Sequence, residues 1–317
     1  MEADLKKEIF MLVDGSAIVH RAYHAMPPLT RVDGTPTGAV QGFFSMILKI
    51  IAELKPAHIA IAFDRPVPNF RKELFKDYQS QRPAMDSDLS PQFGIIQKIL
   101  ESAKIPVFAV DGLEADDIIG TISEKAKETG HVVYILTGDR DMLQLVNGKT
   151  KVLAPFKGIS EMTLYDEAKV KEKYGVLPSE FVELKALMGD SSDNYPGVSG
   201  IGPKTATTLV QEYQSVKNIY KNIDKIKAKN PKLGEKLEKG KENAKLAHQL
   251  ATILTNAPFE YNFADCSVKK LDVEGLKRGM EAYDFKTLPR RVDEVFSREA
   301  GSRYAGKNRK ATQMKLL

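Results

Sequence analysis

The sequence predicts an α/β protein with a central, mostly parallel sheet flanked by helices. Through the first half of the chain, short apolar runs alternate with longer segments of helical pattern, and several runs end next to an acidic residue. Such alternation is typical of parallel strands joined by helical crossovers. The chain has 317 residues, 42% of them hydrophobic, which is ample for a buried core and for more than one domain.

Four apolar runs are predicted to be strands: "IFMLV" (9–13), "HIAIAF" (58–63), "VFAV" (107–110) and "VVYIL" (132–136). Asp14 and Asp64 follow the first two runs, and Asp139 and Asp141 follow the fourth in "TGDRD". The third run leads through "DGL" into an acidic triplet. In open parallel sheets the ligand site lies beyond the carboxyl ends of the strands, so we expect these acids to converge.

The triplet lies in "GLEADDIIG" and consists of Glu114, Asp116 and Asp117. Acids in a first helical turn stabilise the positive end of the helix dipole, which would explain one or two of them. Glu114 and Asp117, however, stand three apart on one helical face, where like charges repel. From the triplet alone, two interpretations stay open: the acids cap a helix, or they hold a metal ion.

A second acidic motif, "LMGDSSDNYPGVSGIGPKTA", contains Asp190 and Asp193, a glycine-rich turn and a helix that opens near Lys204. One interpretation is that the acids cap a helix or form a turn and that the glycines make a tight connection between helices. The functional interpretation is that the two acids face one cation, while the glycines let backbone N–H groups approach a phosphate.

Together these motifs supply nine carboxylates as candidate metal ligands. They are Asp14, Asp64, Glu114, Asp116, Asp117, Asp139, Asp141, Asp190 and Asp193. If they converge, cations must offset their repulsion. Oxygen ligands favour Mg²⁺ or Mn²⁺, and a site this acidic suits two or more ions, the recurrent arrangement for attack of water on a phosphodiester.

Five motifs occur in order: "LVDGSAIVHRAYHA", "FRKELFKDYQSQRP", "DGLEADDIIGTI", "TGDRDMLQLV" and "GDSSDNYPGVSGIGPKTA". From about residue 8 to 290 the chain resembles the 5′-nuclease (flap endonuclease) family, specifically the bacterial 5′–3′ exonucleases that commonly form the amino-terminal domain of DNA polymerase I. The resemblance implies a PIN-like 5′-nuclease fold and a structure-selective nuclease that removes 5′ flaps and RNA primers in replication and repair. It also implies Mg²⁺ held by the nine acids, with catalytic roles for Asp14, Asp64, Asp116 and Asp139. Arg82 is predicted to be catalytic as well, as a cation near the reacting phosphate.

The expected organisation has three parts. Residues 1–180 form the nuclease core, with a helical arch for a single strand at about 66–105. Residues 181–290 form a helical DNA-binding region, and 291–317 a basic, flexible tail. The resemblance implies a helix–three-turn–helix at about 184–210, often with a K⁺ ion in its turn. Its contacts with the DNA backbone would be Gly197, Gly200, Gly202 and Lys204.

Within the arch, Arg71, Phe75, Tyr78 and Arg82 fall at helical spacing and interleave cations with rings. Such surfaces hold single strands without reading sequence. The alternative is that Phe75 and Tyr78 belong to the core. Relatives usually carry a lysine after the arch tyrosine, whereas this chain has Gln79, so Lys76 and Arg82 are candidates to replace that cation near DNA.

The net charge of +5 is unevenly distributed. Residues 217–245 contain ten lysines and four acids, an excess of six, which indicates either a solvated face or a polyanionic partner. Cys266 is the only cysteine, which excludes an intramolecular disulfide and a cysteine-based zinc site and fits a reducing, cytoplasmic compartment. The DNA-processing role that the resemblance implies predicts association with the nucleoid. No histidine pair has convincing metal spacing. His20 and His24 merely follow the first strand.

The expected partners are DNA with a 5′ flap, nick or free 5′ end, and an RNA primer. No apolar stretch is long enough for a membrane span, and a monomer is expected. The last residues, "TQMKLL", place Gln313 before Leu316 and Leu317 and resemble peptides that dock into bacterial sliding clamps. Two other classes stay open: a DNA-junction binding module that does not cut, and a PIN-type ribonuclease.

Overall fold

The computed structural model describes residues 8–296. Its centre is a six-stranded sheet in the order β3-β2-β1-β4-β5-β6. The strands are β1 (Ile9–Asp14), β2 (His58–Ala62), β3 (Val107–Phe108), β4 (Val132–Leu136), β5 (Thr150–Lys157) and β6 (Glu161–Tyr165). A separate two-stranded sheet pairs β7 (Gly189–Asp190) with β8 (Tyr195–Pro196).

Fourteen α-helices accompany the strands in the described part of the chain. They are α1 (Gly15–Ala25), α2 (Gly38–Leu54), α3 (Phe70–Leu74), α4 (Ser90–Ser102), α5 (Ala115–Glu128), α6 (Glu167–Tyr174), α7 (Phe181–Met188), α8 (Pro203–Tyr213), α9 (Val216–Lys221), α10 (Ile223–Lys229), α11 (Pro231–Lys239), α12 (Lys241–Ala251), α13 (Val273–Glu281) and α14 (Thr287–Phe296). Among them, none is long and apolar enough to cross a membrane.

The predicted parallel sheet is confirmed for the four strands that carry the acidic motifs. β1 pairs in parallel with both β2 and β4, and β2 pairs in parallel with β3. Parallel pairing brings the carboxyl ends of all four strands to one edge, which positions the site. β5 continues the parallel sheet and β6 closes it in the antiparallel direction, two strands that the sequence interpretation did not include.

Both faces of the sheet are buried, which explains why the strands are uninterrupted apolar runs. In β1, Phe10 and Leu12 belong to one core, while Met11 and Val13 belong to the other. This is the alternation that a strand imposes on successive side chains. Helices α5, α7 and α8 contribute to the first core and α1, α2 and α4 to the second.

The prediction that the four spaced residues of the arch lie on a helix is wrong. Only Arg71 of the four residues lies inside a helix, because α3 ends at Leu74 and a series of turns follows it. Tertiary hydrogen bonds take the place of helical ones: the Gln79 N–H donates to the Asp193 carbonyl (2.8 Å), and Asn194 Nδ2 donates to the Asp77 carbonyl (2.8 Å). Gln79 adopts a positive φ of 55°, which interrupts any regular helix.

The predicted boundaries also need correction near the end of the chain. Helices α13 and α14 return to the first half, where Met280 and Val292 join the same core as α2 and α4. Residues 291–296 are therefore the end of α14 rather than a tail, and Arg291 Nη2 donates to the Ser45 carbonyl (3.1 Å). The rest of the predicted tail, 297–317, lies outside the described residues.

Candidate metal centre and nucleic-acid interface

Asp14 is held where β1 ends and α1 begins. Its Oδ1 accepts a hydrogen bond from the Ala17 N–H (2.9 Å), and its Oδ2 accepts one from Thr137 Oγ1 (2.6 Å). Thr137 directly follows β4, so the two bonds join neighbouring strand ends. Burial, and then the Asp64 carboxylate, raise the pKa of Asp14 to about 7.

Asp64 is positioned by the two helices that follow its neighbouring strands. Its N–H donates to Ser16 Oγ (3.0 Å), and its Oδ1 accepts from the Ala115 N–H at the start of α5 (2.9 Å). The side chain is exposed at the mouth of the cluster. Asp64 therefore presents its carboxylate to solvent beside the buried Asp14.

Asp116 lies in the first turn of α5 and faces the same cluster. Burial raises its pKa well above the ordinary value, and the Asp139 and Asp14 carboxylates raise it further. Asp139 has a raised pKa for the same leading reason, and its N–H is fixed by Thr137 Oγ1 (2.8 Å). The acids that follow separate strands therefore interact electrostatically, as the sequence analysis expected.

A second group of acids lies beside the first. Carboxylate oxygens of Asp141, Asp190 and Asp193 lie within 4.8 Å of one another. Burial raises the pKa of Asp141 to about 7, with the Asp139 carboxylate as the next cause. Groups this close are suited to share one divalent cation. Asp139 interacts electrostatically with both groups, since it raises the pKa of Asp116 and Asp193 raises its own pKa.

Lys185 on α7 is a site residue that the sequence interpretation missed. Its Nζ contacts Asp141 Oδ1 (2.7 Å) and also Asp190 Oδ2. These carboxylates raise the pKa of Lys185 against the effect of burial, and the ammonium lowers the pKa of Asp190 although burial opposes it. The second group of acids thus already attracts a positive charge, as a cation site would.

The structure corrects the assignment of Asp117 and Arg71. Both are buried, with 0% and 2% of their surface exposed, and they form a bidentate pair with N–O distances of 2.7 and 2.8 Å. Asp117 also accepts from the backbone N–H groups of Leu254 (2.9 Å) and Glu114 (3.2 Å). Because its oxygens are fully used, Asp117 is a structural anchor rather than a metal ligand, and Arg71 is inaccessible to DNA.

Glu114 is the point where the predicted arch meets the acids. Its Oε1 accepts from Asn69 Nδ2 (2.8 Å) and Gln79 Nε2 (3.1 Å). Its Oε2 lies 2.9 Å from Arg71 Nη1 and 3.2 Å from the Tyr78 hydroxyl. Burial raises the pKa of Glu114 to about 7, although Arg71 opposes the shift.

The ring of Tyr78 is buried, with 3% of its surface exposed, and stacks on Tyr195 (centroids 6.4 Å apart, 18° between planes). Phe75 packs against the same small cluster. The prediction that these rings hold a single strand is therefore wrong for Tyr78, which belongs to the core as the alternative interpretation expected, and Phe75 is half-buried. The Tyr78 hydroxyl still reaches the acids, lying 3.3 Å from Asp193 Oδ2.

Two cations of this segment do face solvent. Arg82 Nη2 lies 2.6 Å from Asp193 Oδ1, while 52% of its side chain is exposed. Lys76 is exposed as well. Arg82 is thus positioned to meet a phosphate beside the acidic cluster.

The helix–turn–helix expected at 184–210 corresponds to α7, the β7–β8 turn and α8. A Cβ on Gly197 would lie 2.2 Å from the Gly189 nitrogen, so this glycine is required by packing inside the turn. Gly200 has a φ of +75°, and its carbonyl accepts from Lys236 Nζ (3.1 Å). Gly202 and Lys204 are exposed at the start of α8, where free N–H groups favour an anion.

The lysine-rich segment 217–245 forms helices α9 to α12. Lys225 is exposed, and Lys236 is exposed next to the Gly200 turn. Lys227, in contrast, pairs with Glu238 (2.7 Å). The segment therefore presents positive charge next to the start of α8.

Two sequence-family models together match almost the whole described chain. The 5'-3' exonuclease N-terminal resolvase-like domain matches residues 9–175, and the 5'-3' exonuclease C-terminal SAM fold matches residues 176–274. The chain is 35% identical over 292 residues to the 5'-3' exonuclease of Aquifex aeolicus, covering 92% of this chain and 97% of that protein.

The chain also resembles the first part of a longer class of proteins. It is 39% identical over 283 residues to DNA polymerase I of Bacillus subtilis, covering 89% of this chain and 31% of that protein. For DNA polymerase I of Geobacillus stearothermophilus the identity is 42% over 268 residues, with 84% and 30% covered. The chain thus spans about a third of these polymerases.

Solved structures confirm the fold. A phage T5 5'-exonuclease with bound zinc superposes with a TM-score of 0.63 at 20% identity, covering 92% of this chain and 99% of that chain. The catalytic core of Rad2 in complex with DNA substrate superposes with a TM-score of 0.57 at 20% identity, covering 92% of both chains.

The fold and the acidic centre define the class as a metal-dependent nuclease. The chain belongs to the 5'-3' exonuclease family.

Proposed function

We propose that this chain hydrolyses phosphodiester bonds near the 5′ ends and 5′ flaps of DNA, with two or more Mg²⁺ or Mn²⁺ ions. The observation that carries the proposal is the convergence of acids from four strand ends and from the turn after α7 at one edge of the sheet. Burial is the leading cause of their raised pKa values and repulsion between the carboxylates adds to it, so bound cations would favour the ionised acids.

The residues present fit two neighbouring cation sites. Asp141, Asp190 and Asp193 would hold one ion, since their oxygens lie within 4.8 Å of one another. Asp14, Asp64 and Asp116 would hold the other, with Asp139 shared between the groups. Divalent ions in such a pair activate a water nucleophile and stabilise the charge that develops on the phosphate.

Glu114 joins the metal ligands only if the segment 69–82 exchanges hydrogen bonds, because its oxygens already accept from four side chains. In the described arrangement Glu114 instead fixes Tyr78 and Gln79 over the acidic cluster. Substrate entry would then be coupled to the position of this segment.

Arg82 and Lys76 would contact the phosphates of the single strand. Arg82 is the better placed, because its guanidinium already lies against Asp193 while half of its side chain remains exposed. A guanidinium beside the metal ligands stabilises negative charge on a reacting phosphate. This arrangement supports a catalytic role for Arg82 in the absence of a lysine at position 79.

The duplex would bind across the start of α8 and the lysine-rich helices. Gly202 and Lys204 offer a helix N-terminus and a cation to one phosphate, and the family's K⁺ ion would lie in the adjoining turn. The exposed lysines would bind further phosphates without reading sequence. An RNA primer annealed to DNA offers the same phosphates and is included in the proposed substrates.

Matched 5′-labelled substrates test this proposal: a flap, a nick, a blunt duplex and an RNA-primed duplex of the same sequence. We expect Mg²⁺-dependent release of short 5′ products, fastest on the flap, and suppression by Ca²⁺, whose looser coordination fits the ion pair poorly. Tight binding of the flap without any cleavage in Mg²⁺ or Mn²⁺ would instead identify a junction-binding module. Cleavage confined to single-stranded RNA would identify a PIN-type ribonuclease.

We also propose that Gln313, Leu316 and Leu317 bind a sliding clamp, acting for a monomeric enzyme as a reversible tether at the replication site. These residues lie outside the described range, so the support is the motif itself. Titration of the clamp with a peptide of residues 306–317 and with its Gln313→Ala, Leu316→Ala counterpart tests the proposal. Indistinguishable binding of the two peptides would refute it.

A further inference from the structure

Three side chains of types that can ligate a metal meet at the edge of the sheet opposite the acidic centre. Glu8 immediately precedes β1, His58 begins β2, and His131 immediately precedes β4, so the three come from the amino ends of adjacent strands. One potential ligand atom from each lies within 4.8 Å of the others. The three residues are far apart in the chain, so their spacing did not predict a metal site.

The hydrogen bonds of His131 define which of its nitrogens is free. Thr129 Oγ1 lies 2.9 Å from His131 Nδ1 and also 2.8 Å from the Ala126 carbonyl, which accepts its proton. When Thr129 donates to the Ala126 carbonyl, it accepts from the Nδ1–H of His131, and Nε2 of the neutral ring then has a free lone pair. Nε2 lies 3.5 Å from Glu8 Oε2.

An imidazole lone pair and a carboxylate oxygen repel each other unless a cation lies between them. A proton on His131 is one such cation, and a metal ion is another. Orientation of a histidine by a hydrogen bond to its other nitrogen is the usual arrangement around a bound metal.

His58 supplies the second imidazole. Its ring is 5.0 Å from the His131 ring, centroid to centroid, and both rings pack on Phe263 at 4.5 and 4.7 Å. His58 Nδ1 is buried without a hydrogen-bond partner among the described residues. Burial, and then His131, lower the pKa of His58.

We infer that Glu8, His58 and His131 form a second metal site, specific for Zn²⁺ or a similar transition ion. Two imidazoles and one carboxylate are a zinc ligand set, with water in the fourth position, whereas Mg²⁺ prefers oxygen ligands alone. The site would join the starts of β1, β2 and β4 and so stabilise the sheet from the side remote from the acids. It is independent of the proposed reaction.

The test uses Co²⁺ as a spectroscopic substitute for Zn²⁺, added to the full chain in excess Mg²⁺ so that the oxygen-only centre is occupied. We expect one equivalent of Co²⁺ to give the intense visible absorption of tetrahedral nitrogen-containing coordination. His58→Gln and His131→Gln should abolish it. His248→Gln is the matched control, since His248 also contacts a carboxylate, Glu183 (3.3 Å), but has no second histidine in that contact.

Glu8→Gln provides a variant at an exposed position, where misfolding is not a concern. Zn²⁺ should raise the melting temperature of the wild type and of His248→Gln, and should raise that of Glu8→Gln much less. Flap cleavage in Mg²⁺ should be unchanged in Glu8→Gln. Absence of tetrahedral Co²⁺ absorption in the wild type, or its persistence in both His58→Gln and His131→Gln, would leave His131 and Glu8 as an ordinary ion pair and overturn the inference.

Discussion

Arg71 and Asp117 form a buried, bidentate ion pair that joins α3 to α5, with N–O distances of 2.7 and 2.8 Å. Arg71 also donates to the carbonyls of Leu250 (2.9 Å), in the last turn of α12, and of Thr252 (2.8 Å), which directly follows that helix. The pair therefore links α3 of the arch, α5 with its acidic first turn, and the end of α12. Asp116, one residue earlier, has the opposite environment, since acids rather than cations surround it.

These neighbouring aspartates should separate stability from catalysis. Asp117→Ala leaves a buried guanidinium without its main partner and should reduce the free energy of unfolding by about 3–5 kcal/mol, measured by urea denaturation. Asp116→Asn is the matched control. It removes a repelled charge, so stability should be kept or increased, while cleavage is lost and flap binding persists. Equal losses of stability in both variants would contradict the assignment.

Gln79→Lys should raise the single-turnover cleavage rate, by up to about tenfold, with little change in flap affinity. A lysine would carry a full charge toward the reacting phosphate, where Gln79 now donates a neutral hydrogen bond to Glu114 (3.1 Å). Gln79→Met, which lacks any donor, is the control and should be slower than the wild type. A Gln79→Lys variant slower than the wild type would contradict this prediction and show that the Gln79 side chain is itself required for the position of the segment.

In the absence of metal ions, the free energy of unfolding should fall as the pH rises from about 4 to about 7. The folded protein retains the Asp141 proton until about pH 7, whereas the unfolded chain releases it near pH 4. Its contribution to stability is thus present at low pH and lost as the pH rises through that range. Asp141→Asn lacks this effect.

The measurement for this prediction is urea denaturation of the wild type and Asp141→Asn in chelator across the same pH range. The variant should gain stability relative to the wild type as the pH rises, and Mg²⁺ should reduce that gain by binding the ionised acid. A difference between the two proteins that does not vary with pH would contradict the raised pKa of Asp141.

Charge reversal at Lys225 and Lys236 should make the salt dependence of duplex binding shallower. Each phosphate contact contributes about −0.9 to the log–log slope, so losing two should change the slope by about 2. Lys269→Glu is the control, because this exposed lysine lies beside the amino end of β2, away from α8. An unchanged slope in the double variant would show that these lysines lie on a solvated face and do not contact DNA.

The sequence predicted the sheet and most of its acids because both depend on local patterns. An apolar run followed by an aspartate needs no tertiary information, and β1 with Asp14 and β4 with Asp139 lie as expected. The same reasoning failed for Asp117, whose partner Arg71 lies 46 residues away. A sequence pattern shows the charge of an acid but not the cation that offsets it.

Long-range packing also explains the other differences. The 71–82 segment has helical spacing, but hydrogen bonds from Gln79 and Asn194 hold it in turns. Lys185 precedes Asp190 by five residues and is the only cation in α7, a signal that could have marked it as a site residue. His58 and His131 meet only because β2 and β4 both flank β1.

The most direct test of the central claim is cleavage of a 5′-labelled flap duplex by the wild type and by Asp139→Asn, with Mg²⁺ and with excess chelator. Asp139 adjoins both groups of acids, so its loss affects both proposed ions. We expect cleavage only by the wild type with Mg²⁺, while the variant binds the flap with unchanged affinity. Full cleavage in chelator, or normal cleavage by Asp139→Asn, would contradict a metal-dependent centre at this edge of the sheet.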